Sequence, residues 1–343
     1  MLIVVALTLL LAFANGANDV SKGIATLVGS GVSSYRSAVA WGALCTVLGA
    51  LFSSLLARGL VETFSGKGIL VHSAMAPAFL IAVAIGAIGW LVIATCTGLP
   101  VSTTHSLVGA LLGVALVAHG AGGVVWSAIL SKVVVPLAVS PLMALVLLLF
   151  VSPLTRRLDP YCVCVEQGAA VTPEGIELRS MAEVVVARQK ECGKAVARTN
   201  SIDVLHWISA GATSFFRGMN DAPKIVALAI AAGGSMFSFV ALAMGAGSLL
   251  AGLRVTKTLA EKVTRISPAN GFSANVVTSL LVGVASRFGL PVSTTHVSSG
   301  AIIGVGLSNG GVRWKTIGEM ALAWAVTLPV SGMIGAAAYF VVG

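Results

Sequence analysis

The residues best suited to chemistry in this sequence belong to an octapeptide that occurs twice. Gly-Leu-Pro-Val-Ser-Thr-Thr-His runs from Gly98 to His105 and again, letter for letter, from Gly289 to His296. Each copy places three hydroxyl side chains in succession within an otherwise apolar stretch. Hydroxyl groups donate hydrogen bonds to oxygen atoms without adding a fixed charge. Two such groups of donors are the chemistry expected of a site for a tetrahedral oxyanion.

Each octapeptide is predicted to open a helix. Gly98 and Pro100 interrupt the apolar run, and a proline disfavours helical geometry in the residue before it. Ser102 can then cap the next helix, whose free N–H groups and positive dipole end favour an anion. We therefore predict that six hydroxyl residues bind the oxyanion, namely Ser102, Thr103, Thr104, Ser293, Thr294 and Thr295.

The same hydroxyl groups also have a purely structural interpretation. Serine and threonine side chains in helices bond the carbonyl four residues earlier or link neighbouring helices. His105 and His296, which follow the hydroxyls directly, could contact the anion, carry a proton or bond a neighbouring helix. Repetition of the whole octapeptide favours the binding interpretation, because helix packing alone does not require identical residues in two places.

A second motif is also duplicated. GANDVSK from Gly16 to Lys22 returns as GMNDAPK from Gly218 to Lys224, with Gly, Asn, Asp and Lys at the same spacing. Carboxylate and amide oxygens are hard ligands that suit a small cation such as Na⁺. This interpretation predicts cation sites built from Asn15, Asn18, Asp19, Asn220 and Asp221. No group of nitrogen or sulfur ligands accompanies these residues in the sequence, which argues against a metalloenzyme.

The two lysines offer a competing account of the aspartates. Asp19 precedes Lys22 by three residues and Asp221 precedes Lys224 by three, a spacing at which helical side chains form ion pairs. Each lysine could also contact the anion directly. Asn275, in a later apolar segment, could complete a cation site. The sequence leaves these alternatives open.

The segments that carry the motifs belong in a membrane. Of the 343 residues, 57% are hydrophobic and only 10% are charged, and the mean hydropathy is +0.99. Apolar runs of roughly 20 residues, long enough to cross a hydrocarbon core as helices, recur along the chain. The runs are continuous rather than alternating with period two, so they favour helices over a barrel. The net charge is +9, and the lysine and arginine residues are scattered among the apolar segments, mostly at the segment ends. This distribution favours a role in membrane orientation over nucleic-acid binding.

The order of the motifs predicts two repeats and a linker. We assign a first membrane repeat to residues 1–151, a linker to 152–201 and a second membrane repeat to 202–343. An odd number of crossings in each half would give inverted repeats, with the site near the midplane where broken helices meet. Basic residues place the linker in the cytoplasm by the positive-inside rule. Its stretch from Glu177 to Arg198 has apolar residues at helical spacing and is expected to form a surface helix.

Together these motifs resemble one protein family. Both Asn-Asp motifs, and the Gly-rich patterns at Gly109–Gly113 and Gly300–Gly304 that follow the octapeptides, are similar to those of the inorganic phosphate transporter (PiT) family. The resemblance covers both membrane halves. It implies an all-α polytopic protein of inverted repeats, broken helices and re-entrant hairpins, with about ten to twelve membrane segments. It also implies a homodimer in the plasma (inner) membrane.

The resemblance implies a function as well. By position, the hydroxyl motifs would bind inorganic phosphate and the Asn-Asp motifs would serve coupling ions, which are Na⁺ in some members and H⁺ in others. We therefore expect secondary active phosphate import with Na⁺, and no cofactor. A proton-coupled importer, or a sulfate permease of the same fold, is the alternative. One departure concerns the ion sites, because many members carry Asn where this chain has Lys22 and Lys224.

An enzyme is the remote alternative. Ser102, His105 and an aspartate could form an intramembrane hydrolase. That hypothesis explains neither the duplication nor the adjacent threonines, and the sequence lacks a G-x-S-x-G elbow. The sequence therefore predicts a transporter.

Overall fold

The structure is a computed structural model that describes residues 1–65, 69–71, 76–158, 161–171, 177–188, 197–232 and 236–343. Within these ranges the chain forms fourteen α-helices and three β-strands. The helices before the linker are α1 (Leu2–Asp19), α2 (Ser21–Gly29), α3 (Tyr35–Leu56), α4 (Arg58–Phe64), α5 (Pro77–Thr97), α6 (Thr103–His119), α7 (Trp126–Ile129) and α8 (Val135–Thr155). A π-helical turn at Leu130–Val134 joins α7 to α8.

The helices after the linker follow a similar order. They are α9 (Ser201–Val226), α10 (Met236–Ala251), α11 (Leu253–Glu261), α12 (Pro268–Arg287), α13 (Thr294–Asn309) and α14 (Trp314–Val342). The first helix of each half carries an Asn-Asp motif, and an octapeptide leads into α6 in one half and α13 in the other. The order of the helices along the chain therefore agrees with the order of the duplicated motifs.

Six helices in the described part of the chain are long and apolar enough to cross a membrane, and the chain is a multi-pass membrane protein. They are Leu2–Gly29 (α1 with α2), Tyr35–Leu56, Pro77–Thr97, Val135–Thr155, Pro268–Arg287 and Trp314–Val342. The pair α10 and α11, bent by 67°, is a seventh candidate. The helix α6 has 17 residues and measures about 26 Å, so it falls short of a full span. The 26-residue α9 is long enough, but it includes charged residues of the second Asn-Asp motif.

The linker differs from the sequence prediction. Three antiparallel strands, β1 (Tyr161–Val171), β2 (Glu177–Arg188) and β3 (Ala197–Asn200), form a sheet in the order β2-β1-β3. The surface helix expected from Glu177 is therefore wrong over β2, and residues 189–196 of that stretch lie outside the described residues. The physical reason is the run of three valines at 184–186, because β-branched side chains favour strands. Val184 and Val186 pair with Val165 and Val163 of β1.

The two halves pack against each other reciprocally. The helix α1 lies against α10, and its counterpart α9 lies against α3. Likewise α6 lies against α14, and α13 lies against α8. Each motif-bearing helix of one half thus packs against a helix of the other half. The opposite orientation of the repeats in the membrane stays a prediction.

Glycines permit the closest of these crossings. A Cβ atom on Gly49 of α3 would lie 1.8 Å from the carbonyl oxygen of Phe215, and one on Gly247 of α10 would lie 1.9 Å from that of Phe13. Phe13 and Phe215 occupy the same position relative to the two Asn-Asp motifs. Each half therefore presents the same backbone contact to the other, and only glycine fits at either place.

Candidate anion and cation site

Both octapeptides adopt the predicted capped conformation. Gly98 and Gly289 have φ values of 77° and 67°, in the left-handed region that favours glycine. The Ser102 Oγ then accepts a hydrogen bond of 3.2 Å from the backbone N–H of His105, and Ser293 accepts one of 3.2 Å from His296. Ser102 and Ser293 are the N-caps of α6 and α13, which confirms the prediction for the start of both helices.

The two helix N-termini meet inside the protein. Thr104 Oγ1 donates a hydrogen bond of 3.5 Å to the carbonyl of Val292, and Thr295 Oγ1 donates one of 2.8 Å to the carbonyl of Val101. All six hydroxyl residues of the octapeptides are buried. Residues about 190 positions apart thus form one polar centre in which two positive helix ends converge.

The Asn-Asp motifs adjoin this centre. Thr103 Oγ1 donates a hydrogen bond of 3.2 Å to Asp19 Oδ2. The amide nitrogen of Asn15 lies 2.9 Å from Thr103 Oγ1, 3.1 Å from Asp19 Oδ2 and 3.2 Å from Asp221 Oδ2. Asn15 therefore joins the aspartates of both halves to the first hydroxyl motif.

The other two asparagines fix the octapeptides. Asn18 donates a hydrogen bond of 3.1 Å to the carbonyl of Leu99, and its side-chain oxygen accepts one of 3.3 Å from the backbone N–H of Val101. Asn220 donates to the carbonyl of Val292 at 3.1 Å and accepts from Ser286 Oγ at 3.1 Å. Their amide oxygens, which the sequence suggested as cation ligands, already accept hydrogen bonds.

Both aspartates also form the ion pairs of the competing interpretation. Lys22 Nζ lies 2.5 Å from Asp19 Oδ1, and Lys224 Nζ lies 3.4 Å from Asp221 Oδ1. All four side chains are at most 2% exposed. Buried charges are stable only when they are paired and hydrogen-bonded, as these are.

A buried arginine belongs to the same cluster, although sequence reasoning missed it. Arg217 is fully buried, and its guanidinium donates to Asn15 Oδ1 at 3.4 Å and to Thr46 Oγ1 at 2.5 Å. The signal was present, because Arg217 occupies the position in the second repeat that Asn15 occupies in the first. With Arg217 the cluster holds three basic side chains and two carboxylates, hence a formal net charge of one positive unit when all five groups are ionised.

The histidines lie behind the hydroxyl motifs. The rings of His105 and His296 stack with centroids 4.5 Å apart, and His296 Nδ1 lies 2.7 Å from Ser293 Oγ. The ring of Trp324 packs 4.1 Å from His296, and its Nε1 donates to the carbonyl of Pro100 at 3.1 Å. These three rings line a cavity of about 580 Å³. Trp324 thus supports the first octapeptide.

Asn275 lies in a different polar cluster. Its side-chain oxygen accepts a hydrogen bond of 3.1 Å from Thr26, and its carbonyl accepts one of 3.1 Å from Thr213. None of its hydrogen bonds within the described residues involves the Asn-Asp motifs. The structure therefore does not bring Asn275 together with the other predicted cation ligands.

A multi-pass helical protein with a buried, charged cluster between reciprocal halves has the architecture of a secondary transporter. A family model described as the phosphate transporter family matches residues 15–335, and this chain belongs to that family. Members of this family are transporters, so the hydrolase alternative is rejected. The resemblance noted from the motifs is confirmed.

Individual relatives agree with this membership. The chain is 31% identical to a protein of Rhizobium meliloti named "Probable low-affinity inorganic phosphate transporter", with 98% of this chain and 94% of that protein aligned. A protein of the same name from Mycobacterium bovis is 30% identical over 99% of this chain and 76% of its own length. A solved structure described as "The sodium-dependent phosphate transporter" has the same fold, with a TM-score of 0.75, 24% identity and coverage of 99% and 98% of the two chains.

Proposed function

We propose that this protein imports inorganic phosphate by symport with a cation, using the cluster where α6 and α13 meet. The observation that carries the proposal is the convergence of two hydroxyl-rich helix N-termini on a buried cluster of three basic and two acidic side chains, whose formal net charge is positive. Such a cluster compensates an oxyanion by hydrogen bonds and by charge. The phosphate ligands in this proposal are Ser102, Thr103, Thr104, Ser293, Thr294 and Thr295.

A neighbouring carboxylate supports phosphate over sulfate as the substrate. Phosphate at neutral pH carries a proton that can be donated in a hydrogen bond, whereas sulfate carries none. The carboxylate of Asp19 bonds Thr103 at 3.2 Å, so it lies within reach of an anion held by that hydroxyl motif. The names of the relatives point to the same substrate.

Two coupling ions are candidates. Sodium has the support of the description of the solved structural neighbour and of the oxygen atoms in the Asn-Asp motifs. The proton is the second candidate, because the ion pairs with Lys22 and Lys224 already neutralise both aspartates. A cation is needed in either case, since moving a phosphate anion inward against a negative-inside potential costs about 2.3 kcal/mol per charge per 100 mV.

The organisation of the chain forms part of the proposal. Residues 1–151 and 202–343 would be inverted membrane repeats in the plasma (inner) membrane, with the linker 152–201 in the cytoplasm. The reciprocal packing of the two halves supports the repeats. The homodimer remains an expectation from the family resemblance.

Uptake of radiolabelled phosphate into proteoliposomes tests the proposed function. We expect uptake when an inward Na⁺ or proton gradient is imposed, little uptake without a gradient, and no suppression by excess sulfate. Uptake that sulfate suppresses would identify a sulfate permease instead. Absence of gradient-driven phosphate uptake from protein that remains monodisperse would reject phosphate symport.

Removing hydroxyl groups from one octapeptide should weaken phosphate binding. We expect the Ser102→Ala, Thr103→Ala double variant to raise the KM for phosphate at least about tenfold, because even one hydrogen bond to a charged group contributes about 1.5–3 kcal/mol. Thr8→Ala is the matched control, since Thr8 is a buried threonine whose hydroxyl, among the described residues, bonds only the Val4 carbonyl of its own helix. An unchanged KM in the double variant would show that these hydroxyl groups contribute to helix packing and not to phosphate binding.

A further inference from the structure

The ammonium group of Lys22 lies in a cage of oxygen atoms. Its Nζ is 2.5 Å from Asp19 Oδ1, 2.8 Å from Asn18 Oδ1, 3.1 Å from the Asn18 carbonyl and 3.3 Å from the Val101 carbonyl. Each of these atoms is a hard oxygen acceptor, and one of them is charged. Asn18 and Asp19 are two of the residues that the sequence suggested as Na⁺ ligands, and here their oxygens, together with the Val101 carbonyl, surround an ammonium group.

Lys224 has an equivalent environment in the other half. Its Nζ lies 2.7 Å from Thr104 Oγ1, 3.1 Å from the Val292 carbonyl and 3.4 Å from Asp221 Oδ1. The carbonyls of Val101 and Val292 occupy the same position in the two octapeptides. Both cages therefore combine an aspartate with an octapeptide carbonyl, and both hold a lysine.

We propose that the ammonium groups of Lys22 and Lys224 act as tethered cations: they occupy the oxygen cages of the two Asn-Asp motifs, so phosphate binds without Na⁺. The inference rests on the proposed function and deepens it. Of the two coupling ions considered there, it favours the proton.

Charge and space both support this assignment. A Na⁺ ion at either cage would need the oxygens that the ammonium already contacts, and it would lie within a few ångströms of a like charge in a poorly solvated site. Both lysines are about 1% exposed, so water cannot separate the charges. Removing a lysine would leave the aspartate unpaired and the oxygens open to an external cation.

The contacts also connect each tethered cation to the anion site. Lys224 reaches the hydroxyl of Thr104, and the Asp19 partner of Lys22 bonds the hydroxyl of Thr103. A positive charge held in each cage therefore supports phosphate permanently, where a diffusible cation would do so only when bound. The positive charge that a bound cation would otherwise bring to the phosphate site is thereby built into the chain.

The test measures binding of radiolabelled phosphate to purified protein in NaCl and in choline chloride. We expect wild-type affinities in the two salts to agree within about twofold, because Na⁺ has no site to fill. The Lys22→Asn, Lys224→Asn double variant should bind phosphate at least about tenfold more weakly in choline, and Na⁺ should restore part of the loss. Lys257→Asn, on the exposed face of α11, is the control and should behave as wild type.

A second measurement covers the case in which the double variant folds poorly. Na⁺ should raise the melting temperature of the single variant Lys22→Asn and leave that of wild type unchanged, because a ligand stabilises only the state that binds it. The Asp19→Asn, Lys22→Asn variant, which has the cage without the carboxylate charge, should lose this response.

The outcomes separate the inference from the proposed function. Wild-type phosphate binding that requires Na⁺ would overturn the tethered cations and leave sodium–phosphate symport standing. Lysine variants whose binding remains independent of Na⁺ would also overturn them. Wild-type protein that binds no phosphate in either salt would reject the proposed function itself.

Discussion

Replacement of Arg217 by methionine is expected to lower phosphate uptake at subsaturating phosphate by about a hundredfold. Methionine keeps much of the side-chain length and removes the charge and the bonds to Asn15 and Thr46. The cluster would change from one net positive charge to none. Truncating a buried, hydrogen-bonded charge costs about 2–5 kcal/mol, which corresponds to roughly 30- to 5,000-fold in binding.

Two further variants separate charge from geometry. Arg217→Lys retains the charge without the planar, forked donor group, so we expect a loss smaller than that of the methionine variant. Arg287→Met, at the exposed end of α12, should transport as wild type. Uptake by Arg217→Met within about twofold of wild type would contradict a role for the guanidinium in binding. Melting temperatures of all three variants, measured in parallel, identify any loss that comes from misfolding.

Substitution of Gly49 by alanine should have the largest effect on stability. The added Cβ would lie 1.8 Å from the carbonyl oxygen of Phe215. The obstacle is backbone, so a side-chain rotation cannot relieve it, and α3 and α9 must separate. Overpacking of this kind costs about 1–3 kcal/mol or more, and we expect the melting temperature in detergent to fall by about 2–5 °C or more.

The matched control for this substitution is Gly318→Ala. Gly318 also lies in a helix, α14, but a Cβ there would meet no atom within 4 Å among the described residues. Alanine has the higher helix propensity, so this variant should be as stable as wild type or slightly more stable. Equal melting temperatures for Gly49→Ala and Gly318→Ala would contradict the close α3–α9 crossing.

Several features of the fold could be predicted because they depend on local sequence. The duplicated Gly-Leu-Pro-Val-Ser unit encodes a turn and a helix cap within five residues, and both copies form them. Apolar length and low charge were sufficient to predict a polytopic membrane protein. The same approach failed for the linker. The apolar residues of β2 fit a helical spacing, but several of them are β-branched valines, which favour the strand that forms.

The relation between the two motifs could not be read from the chain alone. Asn-Asp and hydroxyl motifs of one half are separated by some 80 residues, and the two octapeptides by 191. Spacing along the chain does not report which carbonyl, hydroxyl or carboxylate comes within 3 Å of another. From the sequence, the carboxylate of Asp19 could therefore bind Na⁺ or form an ion pair with Lys22. The sequence also did not show that Arg217 contacts Asn15.

The sequence by itself determined that the chain lies in a membrane, where the helices after the two octapeptides begin, and which polar residues are available for a site. Hydropathy, capping and residue type give this information because each depends on only a few neighbouring residues. Only the tertiary structure decided which of these polar residues contact one another. Reciprocal crossings of α1 with α10 and of α9 with α3 bring both Asn-Asp motifs to the meeting point of α6 and α13. Buried charges there must find partners, and the partners within reach give both aspartates a lysine and place an arginine between the halves.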